Sequence, residues 1–300
     1  MGITVLVIFV ICGIYIQNRG KVKHESLLFK VRDHSNILGP INCLFYLFSS
    51  VKNTPFLNTQ DFAQLKVLED HWELIRDEAL QLTSESRIKA SDDLDDIGFN
   101  SFFKTGWKRF YIKWYGSDLK SAKQLCPKTV ELLSTIPTVK GAMFAMLPPG
   151  ACLVRHRDPY AGSLRYHLGL STPNSEDCYI KVDGEKYFWK DGEAVMFDET
   201  YLHHAENNTD QNRIILFLDV KRPVSFFLID WLNTFMSYTL LASTASKNMK
   251  GDKVGLLNKL FGGIYKVRLL GKKLKAFNVP LYYVVQYSLY LLLIYWIFLS

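Results

Sequence analysis

The chain has 300 residues, 48% of them hydrophobic and 22% charged, which is enough apolar material for a core and excludes a disordered chain. A formal net charge of +7 leaves nucleic acid or an anionic membrane as candidate partners. The cations border uncharged stretches, and the middle of the chain has no basic face interleaved with aromatics, so a membrane is expected and nucleic acid is not.

Residues 3–16 read ITVLVIFVICGIYI, with Arg19, Lys21 and Lys23 after them and no charged side chain before them. That order is the reverse of a secretory signal. Counted over 1–18, the segment approaches the ~20 residues of a membrane span. The cations after it predict a cytoplasmic location from residue 19 onward. A buried core helix is the alternative, although such a helix normally shows a polar face. Residues 37–51 are too short to span and contain Pro40; they either face the membrane or pack in the core.

Residues 59–82 carry apolar residues at helical spacing and predict one amphipathic helix opening near a Thr or Asp cap. The acidic cluster Asp92, Asp93, Asp95 and Asp96 lacks the spacing of a calcium loop and predicts a solvated loop. Residues 106–116 alternate aromatics and cations like a half-buried strand, and 118–137 read as a second helix. Short runs then follow: GAMFAML, ACLVRH, SLRYHLGL, DCYIKV, EKYFWK, EAVMFD and RIILFLDV. Turn residues separate them, among them Asp183-Gly184 and Asp191-Gly192, both tight-turn signals. This pattern predicts an antiparallel barrel or jelly roll. The five cysteines, Cys12, Cys43, Cys126, Cys152 and Cys178, form no CxxC pair, so neither a disulfide framework nor a structural zinc site is expected.

Four histidines fall within the strand-rich region: His156, His167, His203 and His204. His156 and Asp158 are two apart, and in a strand such residues share a face, so one ion could take both. A rolled sheet can return His203 to the same place. Two histidines and one carboxylate on one face of an octahedron leave three positions open, the arrangement of non-haem Fe(II) oxygenases. Arg213 opens an otherwise apolar strand. Either it ends that strand in solvent, or it is buried and needs an anion such as the free carboxylate of 2-oxoglutarate. Arg165 and His167 also share a face, which is either turned to the site or a polar outer face. His204 should point away from His203.

Residues 224–242, VSFFLIDWLNTFMSYTLLA, contain Asp230 and Asn233 and precede a stretch, 247–275, with nine Lys or Arg against one Asp. A span here would carry those cations outside, so a helix lying in the membrane interface is expected. Residues 279–300 are uncharged and long enough for one span. Both ends then agree on a cytoplasmic middle anchored twice.

The text LPPGACLVRHRDPYAGSLRYHLGL, FDETYLHHAENN and NRIILFLDV resembles the aspartyl/asparaginyl β-hydroxylase family of 2-oxoglutarate-dependent dioxygenases, over residues about 140 to 222. The resemblance implies an α+β, mainly β fold. That fold is a double-stranded β-helix (jelly roll, cupin-like), with N-terminal helices and hydrophobic membrane-anchoring segments at both ends. It implies that His156 and His203 hold Fe(2+), and that Arg165, His167 and Arg213 bind 2-oxoglutarate. Vertebrate members carry Gly at the position of Asp158, so Asp158 as third ligand comes from the chemistry of the donor set. The N-terminal apolar run, DHSNILGPINCLFYLFS, WELIRDEAL and the hydrophobic C-terminus look like the bacterial branch that 2-hydroxylates a secondary acyl chain of lipid A. That branch works at the cytoplasmic face of the inner membrane, using O2. The expected division is an anchor at 1–18, a dioxygenase domain at 19–223 with its core at about 106–223, an interfacial and basic segment at 224–278, and a second span at 279–300. Two other readings keep less of this: hydroxylation of Asp or Asn on a protein, and a cupin-like binding module without turnover.

Overall fold

The computed structural model describes residues 2–91 and 96–298. Eleven strands are described: β1 (Phe56–Leu57), β2 (Lys108–Trp114), β3 (Ser117–Asp118), β4 (Val139–Leu147), β5 (Cys152–His156), β6 (Ser163–Ser171), β7 (Cys178–Val182), β8 (Glu185–Phe188), β9 (Ala194–Phe197), β10 (His203–Asn207) and β11 (Arg213–Lys221). They form a seven-stranded sheet, β1-β9-β6-β11-β4-β2-β3, and a four-stranded sheet, β5-β10-β7-β8. Every strand pairing is antiparallel. From β4 to β11 the chain passes back and forth between the sheets, which makes a double-stranded β-helix.

The central strands β4, β6 and β11 are buried at almost every residue. Strands covered on both faces read as continuous apolar runs, as these do. Helix Trp72–Ser84 packs against β6, and helix Lys120–Leu125 against β2. Strand β2 is more buried than its alternating sequence suggests, because the segment after residue 243 covers it. Asn248 Oδ1 accepts from Tyr111 N–H, and its Nδ2 donates to Tyr111 O.

Several expected elements differ in detail. The stretch 59–82 is a 3-10 turn (Thr59–Leu65) followed by helices Lys66–Asp70 and Trp72–Ser84. Its buried Phe62, Leu65 and Leu68 recur every three residues, the period of the tighter helix. Residues 118–137 are two helices, Lys120–Leu125 and Pro127–Ser134. Pro127 cannot continue a helix and instead opens the second one, with Cys126 in a non-helical conformation before it. Pro40 likewise sits in the first turn of helix Gly39–Leu47 and does not interrupt it. Asp183-Gly184 closes the β7–β8 hairpin with φ of 52° and 89°. Asp191-Gly192 does not close a hairpin, since β8 and β9 lie in different sheets. Of the acidic cluster, Asp92, Asp93 and Asp95 lie outside the described residues. Asp96 is not solvated: it is 1% exposed and paired with Arg109 at 2.9 Å.

A second apolar cluster joins the N-terminal helix Gly2–Asn18 to the domain through Ile16, Phe45, Tyr46, Tyr160, Ile229 and Met236. Helix Gly39–Leu47 buries Asn42, Phe45 and Tyr46 there and exposes Leu44 and Leu47. Helix Phe227–Met236 buries Ile229, Asn233 and Met236 and exposes Phe227, Leu228, Trp231 and Phe235. Among the described residues, one helix, Val279–Phe298, is long and apolar enough to cross a membrane, over Val279–Trp296; Gly2–Asn18 is a shorter apolar helix.

Candidate metal and co-substrate site

The last residue of β5 is His156 and the first of β10 is His203, and the two are direct partners across the small sheet. Their ring centres are 4.2 Å apart. Asp158 lies beyond the end of β5, in the following loop, so its approach is set by that loop rather than by strand alternation. Donor atoms of His156, Asp158 and His203 all fall within 4.8 Å of one another.

Each histidine is held through its other nitrogen. Nδ1 of His156 is 2.7 Å from Val154 O, and Nδ1 of His203 is 2.9 Å from Tyr201 O. A protonated Nδ1 donating to a carbonyl leaves Nε2 as the free lone pair, as metal ligation requires. Burial, helped by the neighbouring His156, lowers His203 to about 3, so its imidazole is neutral and able to ligate.

Arg165 stands behind Asp158. Its Nη2 is 2.7 Å from Asp158 Oδ2 and 2.6 Å from Glu199 Oε2, and its Nε is 3.0 Å from Asp219 Oδ1. The guanidinium also lies 3.7 Å from the Phe217 ring centre. One cation does not neutralise three carboxylates, of which Glu199 and Asp219 are buried and Asp158 is half-buried. Burial raises Glu199, to about 8, against the pull of Arg165 and with the added repulsion of Asp219 and Asp158. Burial raises Asp219 as well. Asp158 goes the other way: burial pushes it up, but Arg165, His156 and His203 outweigh that and hold it below the ordinary carboxylate range. Within this group the charged form of Glu199 is disfavoured, while Asp158, beside the histidines, is held ionised.

On the other side of the cavity are Arg213 and His167. Arg213 is 2% exposed, its guanidinium lies 4.4 Å from the Trp189 ring centre, and burial lowers it to about 10. The strand-end alternative for Arg213 is thus replaced by a buried position. No carboxylate among the described residues forms an ion pair with it, and its Nε has no hydrogen-bond partner. Both ring nitrogens of buried His167 and Nε1 of Trp189 are also without partners. Burial, with Arg165 and Arg213 nearby, lowers His167 well below the usual histidine range, so it is neutral. Buried polar groups normally have partners. Several orphaned donors around one cavity fit a bound carboxylate, and the neighbouring donor set fits Fe(II) with positions left open.

The cavity has a volume of about 30 Å³. All six residues singled out in the sequence line it, and Phe99, Phe102, Trp107, Leu153 and Ile180 give it an apolar wall. His204 does not line it; it points to the other face of β10, toward Tyr179 and Glu206. Sequence reasoning missed Glu199, Asp219 and Trp189. Asp219 had a usable signal, since it is two residues from Phe217 and six from Arg213 on one strand and so shares their inward face.

Arg19, one of the cations that follow the N-terminal apolar run, is buried in the domain. Arg19 is 7% exposed and forms a 2.6 Å ion pair with Asp198, which also pairs with Arg222 at 2.8 Å.

Comparisons with known proteins place the chain in a family. The aspartyl/asparaginyl β-hydroxylase family profile matches residues 69–223. The chain is 33% identical over 179 residues to an ornithine lipid ester-linked acyl 2-hydroxylase of Rhizobium tropici, covering 59% of this chain and 64% of that protein. It is 29% identical over 167 residues to the aspartyl/asparaginyl β-hydroxylase of Homo sapiens, covering 53% of this chain and 21% of that protein. The chain therefore spans less than two thirds of the length of each of these relatives. A prolyl-4-hydroxylase structure from Pseudomonas putida aligns with 52% of this chain and 88% of its own, at a TM-score of 0.35 and 17% identity. With the family profile covering more than half of the residues and the jelly roll present, this chain belongs to the aspartyl/asparaginyl β-hydroxylase family.

Proposed function

We propose that this protein is an Fe(II)- and 2-oxoglutarate-dependent hydroxylase that adds oxygen at C2 of an ester-linked acyl chain of a membrane lipid, with lipid A as the acceptor. The observation that carries the chemistry is the His156, Asp158 and His203 cluster facing the orphaned donors of Arg213 and His167 across one cavity. Iron, 2-oxoglutarate and O2 together would supply the oxidant that replaces a C–H hydrogen by hydroxyl, with succinate and CO2 as co-products. His156, Asp158 and His203 would hold the metal. Arg213 would take the distal carboxylate of 2-oxoglutarate through its planar fork, and neutral His167 would add a hydrogen bond without adding charge. Arg165 is the third residue expected to serve the co-substrate; its carboxylate contacts support a part played through Asp158, whose ionised form it favours. Phe99, Phe102 and Leu153 would exclude water and receive an apolar chain.

A lipid acceptor is favoured by the lipid-acyl relative and by the apolar surfaces. The exposed face of Phe227–Met236 and the two apolar terminal helices suit a bilayer, with Phe227–Met236 lying in its interface. The cations after residue 18 and before residue 279 support a site facing the cytoplasm of a bacterial inner membrane, where iron and 2-oxoglutarate are available. Lipid mass spectrometry of cells with and without this chain tests the assignment. One added oxygen on a secondary acyl chain of lipid A is the expected result. The same change on ornithine lipid would move the acceptor within the class, and a hydroxylated Asp or Asn on a protein with no lipid change would overturn it. A reporter near Asp92 should register the cytoplasm and one at Ser300 the opposite side.

A further inference from the structure

The apolar helix ends at Asn18, and the residues after it are built into the jelly roll. Arg19 donates from Nη2 to Asp198 Oδ2 at 2.6 Å and from Nη1 to Thr200 Oγ1 at 2.5 Å. Its guanidinium lies between two rings, 4.0 Å from the centre of Tyr46 and 3.9 Å from that of Tyr201. Gly20 adopts φ +81°, and a Cβ there would meet Asp183 Oδ1 at 2.5 Å and the Tyr201 ring at 2.8 Å, so this close approach requires glycine. The backbone N–H groups of Lys21 and Val22 donate to the Asp183 carboxylate at 2.7 Å and 2.8 Å.

These acceptors sit on the two turns that frame the metal ligands. Asp183 follows Val182, the β7 partner of His203. The turn Asp198–Tyr201 is tied internally by Thr200 N–H to Asp198 Oδ1 at 3.0 Å. From this one turn, Glu199 O accepts from Asp158 N–H at 3.0 Å, and Tyr201 O lies 2.9 Å from His203 Nδ1. Two ligands, one in the loop after β5 and one on β10, thus take their orientation from a single turn, and Arg19 grips that turn through both a carboxylate and a hydroxyl.

We propose that Arg19 is a positioning residue for the metal site, holding the turn Asp198–Tyr201 in the shape that aims Asp158 and His203. The N-terminal helix is then structurally continuous with the site and more than a tether. The part of this claim that concerns metal rests on the ligand reading given above; the part that concerns the turn does not.

The test uses the full chain in detergent micelles, comparing wild type with Arg19→Gln and Arg19→Lys. Arg222 still pairs with Asp198 in both variants, so the carboxylate is not left alone. Hydrogen exchange is the first readout. Arg19→Gln should speed exchange across 198–203 and 156–160 while leaving β4 and β11 as in wild type. Unchanged exchange in those two segments overturns the proposal, whatever the metal does. Cobalt(II) titration, followed by its visible absorption, is the second readout, with His156→Ala as the control. Arg19→Gln should weaken binding by about 10–100-fold, the usual range for a lost outer partner, with Arg19→Lys in between. Wild-type affinity in Arg19→Gln overturns the positioning role. If wild type and His156→Ala bind cobalt alike, the ligand assignment fails, and the exchange result still decides whether Arg19 holds the turn.

Discussion

Arg213→Met separates a co-substrate anchor from a structural arginine by the sign of two effects. The change keeps most of the side-chain length and removes the charge. Burial takes the Arg213 guanidinium from 12.5 down to about 10, a difference of about 3 kcal/mol against the charged form. The group remains charged at neutral pH, so the folded protein without ligand carries that cost and Arg213→Met relieves it. The melting temperature in the absence of 2-oxoglutarate should rise, by about 2–4 °C per kcal/mol recovered. Binding of 2-oxoglutarate should move the opposite way. Loss of one partner of a buried charge pair costs about 3–5 kcal/mol, or roughly 100-fold to several thousand-fold in Kd. Thermal melts and calorimetric titration of 2-oxoglutarate into the manganese(II)-loaded protein read the two quantities. An unchanged Kd would refute the anchor, and a lower melting temperature without ligand would show that a protein group already compensates the charge.

His156→Ala and His203→Ala should each abolish product while the protein still folds and fractionates with membranes; full activity in either would remove the ligand set. Asp158→Gly should weaken cobalt(II) binding by about tenfold or more, whereas retained affinity and full hydroxylation would mean that two histidines suffice. Burial raises the Asp198 carboxyl, but Arg222 and Arg19 outweigh burial and hold it below its ordinary value of 3.8. A lowered carboxyl stabilises the fold fully above the ordinary value and loses that stabilisation as pH falls below it. Asp198→Asn should therefore melt lower at pH 7, by the ~3–5 kcal/mol of a broken buried pair. Its melting temperature should also fall less steeply than wild type between pH 5 and pH 2.5; parallel curves would refute the role of this carboxylate.

Strand runs and turns were legible in the sequence because they depend on neighbours. Val139–Leu147, Ser163–Ser171 and Arg213–Lys221 are apolar runs of strand length, and Asp183-Gly184 needs only its own left-handed geometry. The pairing of His156 with Asp158 was legible for the same reason, and the distant His203 followed once a rolled sheet was inferred. Strand β10, HHAEN, was not among the expected runs, because nothing in so polar a segment announces a strand; β5 and β7 on either side supply its hydrogen bonds. The charged residues divide most sharply. Taken singly, Arg19, Asp96 and Asp219 read as solvent-facing. They are buried because each meets its counterpart: Arg19 meets Asp198 across 179 positions, Asp96 meets Arg109, and Asp219 meets Arg165 and Tyr115. The sequence alone determined which residues could ligate a metal or bind a carboxylate. Only the tertiary structure decided which charges are compensated and which, like Arg213, face the cavity without a protein partner, since a buried charge is stable only beside an opposite charge that the fold brings from far along the chain.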